Sequence, residues 1–154
     1  MSGKRVDAAV LILRVAVGLI AMYYGSQKMF GLFHGPGVQG TIQYMEKAYS
    51  IPPVFAILAM CGEFFGGLGM VFGFLTNIAA FGFACTMAVA TFENWKTPGL
   101  IQTVFTSPTP EDPSKVFFSF VLFFGALAVM LIGGGAYSLD SRFFGKKAPQ
   151  KGAR

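Results

Sequence analysis

Four apolar stretches, at about residues 8–30, 53–74, 77–95 and 116–134, take up most of this 154-residue chain. A helix needs roughly 20 apolar residues to cross a bilayer's hydrocarbon core. The third stretch reaches that length only by running on through Glu93, Asn94 and Trp95. Within lipid, backbone N–H and C=O groups find no water, so spanning segments of this kind close their hydrogen bonds internally as helices. The expected fold is therefore all-α: an integral membrane four-helix bundle, with a short amphipathic interfacial helix in its first extracytoplasmic loop. Only 12% of the residues are charged and the mean hydropathy is +0.59, against about 25% charged residues in soluble domains. Short connections make residues 1–154 a single membrane domain. Any chemistry belongs to the bundle or its loops.

The net charge of +5 has a simpler source than a nucleic-acid partner, and none is expected. Lys4 and Arg5 precede the first stretch, while Arg142, Lys146, Lys147, Lys151 and Arg154 follow the last. The positive-inside rule then puts both termini in the cytoplasm, with localisation to a bacterial inner membrane as a multi-pass protein. The first stretch exceeds the usual 7 to 15 residues of a signal-peptide core and is interrupted by Arg14 and Lys28, so it reads as a retained first helix.

In the link at 31–53, Ile42, Met45 and Tyr49 recur at i, i+3 and i+7 opposite Gln43, Glu46 and Lys47, the pattern of a helix lying on the outer surface. Such a helix either lids the bundle or covers loop backbone, anchored by Tyr44 and Tyr49. The turn around Leu75–Asn77 makes the second and third spans an antiparallel hairpin. Pro98, Pro108, Pro110 and Pro113 predict an irregular third link, with Trp95 at the membrane boundary. The basic tail is expected to meet anionic membrane lipids.

Within the first span Arg14, Gly18, Ala21, Gly25 and Lys28 share one stripe. A cation inside the bilayer costs about 2.5–3.5 kcal/mol on insertion scales, so it faces protein or water and finds a partner. Glu63 lies mid-way along the second span and Glu93 near the outer end of the third. Depth alone pairs Lys28 with Glu93 and leaves Arg14 to reach Glu63 or to snorkel to the cytoplasmic head groups. Two readings follow. The pairs lock the helices together, or Arg14, Glu63 and Gln27 line a polar pocket for a quinone or other small head group.

Glycines crowd the same helices. Gly62 with Gly66, and Gly69 with Gly73, are GxxxG pairs that let helix backbones approach closely; Gly18, Gly25 and Gly67 extend the set. Cys61 and Cys85 read as buried small hydrophobes, without a CxxC pair. His34 is the one histidine and reads as loop surface. No metal-ligand spacing, phosphate loop, catalytic triad order or dinucleotide fingerprint occurs, so no metal and no covalently bound cofactor are expected.

Arg14 and Gly18, the run Tyr24-Gly25-Ser26-Gln27-Lys28, then Glu63-Phe64-Phe65-Gly66-Gly67 with Gly73 and Thr76, and finally Gly133-Gly134-Gly135-Ala136-Tyr137-Ser138-Leu139-Asp140 together resemble the DoxX family of small membrane proteins. The resemblance runs from Val10 to Asp140. The family usually has histidine where Tyr24 stands, so no role of that histidine carries over. The resemblance implies four helices in the bacterial inner membrane. It also implies an accessory link to quinone-dependent oxidoreductases, with electrons supplied by a partner. Asp140 and Arg142 would then sit at the cytoplasmic boundary and cap the bundle base near Arg5 or Arg14.

Three functions follow as expectations. One is an accessory or anchor subunit of a respiratory or oxidoreductase assembly, with a quinone or lipid-head-group pocket around Arg14 and Glu63. The second is a small-molecule or proton permease, for which self-association would be needed to make a pathway. The third is a purely structural subunit of a larger membrane complex.

Overall fold

A computed structural model describes residues 3–96 and 114–143, and every regular element in them is helical. The proline-rich third link and the basic tail beyond residue 143 lie outside the described residues. Helix α1 (Gly3–Phe30) is followed by a single 3-10 turn (Leu32–His34), α2 (Gly37–Tyr49), α3 (Pro53–Phe72), α4 (Thr76–Lys96), α5 (Ser114–Ile132) and the short α6 (Leu139–Phe143). α1 and α3 are long and apolar enough to cross a membrane, and α5 contributes a shorter apolar helix, Val116–Ile132.

Local chemistry sets the ends. Pro53 opens α3, where its missing N–H would have had no helical acceptor. Gly73 closes it at φ 69°, donating its N–H to the Gly69 carbonyl, a left-handed cap that favours glycine. Gly73 was expected to pack helix on helix through the Gly69 pair; it instead ends the helix, because the chain must reverse there into α4. α1 begins five residues before the apolar stretch, carrying Lys4, Arg5 and Asp7 on a helical turn beyond it.

α1 packs on α3, α3 on α4, and α4 on α5, with a lesser contact from α5 back to α1. Val17 and Ala21 of α1, Met70 of α3, Phe83 and Met87 of α4 and Leu122 and Val129 of α5 meet in one core. The glycines sort by partner. A Cβ at Gly25 would fall 2.6 Å from the Phe64 backbone nitrogen, and one at Gly67 2.6 Å from that of Met22, so these positions set the α1–α3 approach together with Gly18. Gly62, Gly66 and Gly69 face α4 instead; a Cβ at Gly66 would lie 2.8 Å from the Ala79 carbonyl oxygen. Both cysteines are free thiols. Cys85 was expected to be buried, but it is exposed on α4.

Candidate functional site

Of the cations on α1, Arg14 and Lys28 lie within its apolar stretch, about 21 Å apart along the helix axis. Near the C-terminal end of α1, Lys28 Nζ donates to Glu63 Oε1 at 2.5 Å, Glu63 being 1% exposed and Lys28 28%. This corrects the expected pairing of Lys28 with Glu93. The lysine stem spans about a turn of helix, so its ammonium reaches deeper than its Cα level, and Glu63 faces α1 at that depth.

The Lys28–Glu63 pair lies at the wall of a cavity of about 760 Å³. α1 contributes Gln27 and Lys28, α2 contributes Thr41, Tyr44, Met45 and Tyr49, α3 contributes Phe55, Leu58 and Glu63, and α4 contributes Phe81, Cys85 and Glu93. The loop before α2 crosses the top of α1 tightly: a Cβ at Gly35 would sit 2.4 Å from the Gln27 carbonyl oxygen. Thr41 Oγ1 donates to the Lys28 carbonyl at 3.4 Å. These contacts hold α2 as one wall. Phe55, Leu58, Phe81 and Val89 on the rim are exposed, so the mouth opens along the flank of α3 and α4. Among the described residues Glu63 Oε2 has no hydrogen-bond partner although it is buried. A buried carboxylate oxygen left in this state costs free energy unless a proton, water or guest meets it.

Arg14 is elsewhere. It is 1% exposed and its Nη2 donates to the Tyr137 carbonyl at 2.8 Å. A Cβ at Gly73 would collide with its Nη1. Asp140, next in this cluster, accepts from the backbone N–H groups of Leu75 at 2.7 Å and Thr76 at 2.8 Å, capping the N-terminus of α4. Its own N–H donates to the Gly73 carbonyl at 2.8 Å. Burial raises the Asp140 pKa, but the bonds from Thr76 and Leu75 and the charge of Arg14 outweigh that and hold it below the ordinary carboxylate value. The expected contact between Arg14 and Glu63 is thus replaced by a clasp on the segment after α5. The glycine run 133–135 turns that segment back under the helix ends, a fold-back that a depth ruler along straight spans does not contain.

Of the five polar residues singled out in the sequence, the structure gathers Gln27, Lys28, Glu63 and Glu93 around one cavity and leaves Arg14 outside it. Sequence reasoning missed Thr41, Phe55 and Phe81 as cavity walls, although the apolar face of α2 was a signal that it covers something. It also missed Tyr137, whose carbonyl carries no side-chain signature. Among the described residues no three of His, Cys, Asp and Glu cluster closely enough to hold a metal ion, and His34 is exposed in the 3-10 turn.

The model of the family named DoxX matches residues 9–94. This chain belongs to the DoxX family. It is also 31% identical to the inner membrane protein YqjF of Escherichia coli over 146 residues, which cover 94% of this chain and 98% of that protein. No solved structure matches it significantly. The matched region runs from Ala9 to just past Glu93, so it holds most of α1, all of α2 and α3 and nearly all of α4, the elements that build the cavity. With this family membership and its long apolar helices, the chain is an inner-membrane protein.

Proposed function

We propose that this DoxX chain is an accessory or anchor subunit of a respiratory or oxidoreductase assembly, and that its outer cavity holds the head group of a quinone. In this reading α1, α3, α4 and α5 form a four-helix bundle across the bilayer. Both termini are cytoplasmic, and α2 lies on the outer surface as the lid of the cavity.

The observation that carries the reading is the Lys28–Glu63 pair facing the cavity, with Glu63 Oε2 buried and unbonded among the described residues. An ammonium has three donors, and Lys28 spends one on Glu63. The others suit a carbonyl oxygen. Among the described lining residues Lys28 supplies one positive charge, and Glu63 and Glu93 supply two negative ones. That balance disfavours a phosphate head and suits a neutral one bearing carbonyls. The walls are otherwise mostly apolar and aromatic, as in small-molecule sites of similar volume. A bound quinone supplies the electron-accepting couple; the chain orients it, and Glu63 offers a carboxylate oxygen for proton exchange beside it. The pocket in this proposal is centred on Lys28 and Glu63, not on Arg14.

Mass spectrometry of protein extracted in gentle detergent tests the reading. Quinone is expected with the wild type and lost from Glu63→Gln and Lys28→Met at normal protein levels, with cofactor-bearing subunits co-purifying. Wild-type protein free of quinone, extracted from membranes rich in it, would end this reading.

A further inference from the structure

A second space runs along the outer flank of the α3–α4 hairpin. It has a volume of about 560 Å³ and is lined almost wholly by apolar groups, among them Phe65, Phe72, Phe74 and Ile78. It shares Leu58, Gly62 and Gly82 with the wall of the head-group cavity, so the two spaces adjoin. From Gly62 to Phe72 the groove follows α3 for about 15 Å, toward the turn between α3 and α4. Gly62, Gly66 and Gly69 line it along the seam where α3 lies close against α4. Gly82 stands at the junction, and a Cβ built there meets nothing within 4 Å.

We propose that the two spaces form one binding site for an amphiphile with a neutral, carbonyl-bearing head and a single long hydrocarbon tail: the head rests against Lys28 and Glu63, and the tail passes over Gly82 and lies in the groove between α3 and α4. This rests on the quinone reading of the cavity. Two independent observations meet in it, the three lining residues that the spaces share and the buried, unpartnered Glu63 oxygen at the polar end. The polarity of the linings fits such a molecule, since the polar groups sit at the outer end and the inner groove offers almost none. A tail lying there exchanges bulk lipid for close contact with aromatic and glycine surface, and selects by length as well as by head chemistry.

The test compares two probes on purified full-length protein in nanodiscs: a benzoquinone carrying a decyl chain, and the same ring carrying a methyl group in its place. Wild-type protein is expected to bind the decyl compound at least tenfold more tightly, with partitioning into the nanodisc corrected for. Leu68→Trp on α3 and Ile78→Trp on α4, which line the groove and not the head-group cavity, are each expected to remove that advantage and leave the methyl compound unchanged. Equal affinity of the wild type for both probes, or a decyl preference that survives both substitutions, overturns the tail groove while leaving the head pocket standing. Binding of neither probe overturns both. A single-chain phospholipid of similar length that displaces the decyl probe equally well would show that the groove accepts any tail, and would overturn the two-part site.

Discussion

The two ends of α1 put a membrane-embedded cation to different uses. At the inner end Arg14 is packed against Gly73, bonded to a backbone carbonyl and faced by Asp140, which itself ties the start of α4 to the chain after α5. Three segments distant in sequence meet at one guanidinium, whose Nε and Nη1 are also buried without a hydrogen-bond partner among the described residues. At the outer end Lys28 meets Glu63 at the edge of a cavity of about 760 Å³, and one carboxylate oxygen is left over. Buried charge alone therefore does not mark a ligand site. What separates the two is the cavity, which Lys28 and Glu63 line and Arg14 does not.

The comparison breaks most severely if the inner clasp proves dispensable. Arg14→Ala removes a fully buried side chain, strips Asp140 of its facing charge and leaves the Tyr137 carbonyl without a donor. It is expected to cost about 3 kcal/mol, as loss of one member of a buried charged cluster does. Denaturation in mixed micelles measures this, and quinone content per folded molecule should stay at the wild-type level.

Gly73→Ala comes next, at about 2–3 kcal/mol in the same assay. It combines a left-handed backbone angle of φ 69° with a methyl group driven into Arg14. Asp140→Asn is milder, about 1–2 kcal/mol, since the amide oxygen retains one of the two N–H bonds. Its pH dependence sharpens the assignment. Because the Asp140 carboxyl is held below its ordinary value of 3.8, its stabilisation is complete above that value and disappears as pH falls through the lower folded one. The gap between wild type and Asp140→Asn should therefore be constant near neutral pH and close below about pH 4.

The smallest effect on stability is expected at the outer end. Glu63→Gln should cost about 1 kcal/mol, because Lys28 is 28% exposed and its ammonium retains access to water. In contrast to the inner variants, it should empty the cavity of quinone.

The long helices and the polar residues of the cavity were largely legible in the sequence, for a physical reason. Apolar length reports directly on helix in lipid, and Glu63 among glycines and alanines on α3 has to face protein. The partners were legible only in part: the family resemblance put Asp140 near Arg5 or Arg14, and it faces Arg14, but the other pairings were not. Lys28 and Arg14 were assigned by depth along straight spans, which ignores the reach of a lysine stem and the return of residues 133–140 beneath the helix ends. Gly73 looked like one more packing glycine because spacing alone does not distinguish a GxxxG position from a helix cap. The walls at Phe55, Phe81 and Cys85 depend on where α3 and α4 diverge, which no local pattern encodes.

The central claim is that the outer ion pair holds a ligand while the inner clasp holds the fold. Titrating the methyl-bearing benzoquinone against folded Glu63→Gln and folded Arg14→Ala side by side tests it most directly. The account predicts an affinity at least tenfold weaker for Glu63→Gln and unchanged for Arg14→Ala. Unimpaired binding by Glu63→Gln, or a loss confined to Arg14→Ala, would contradict it.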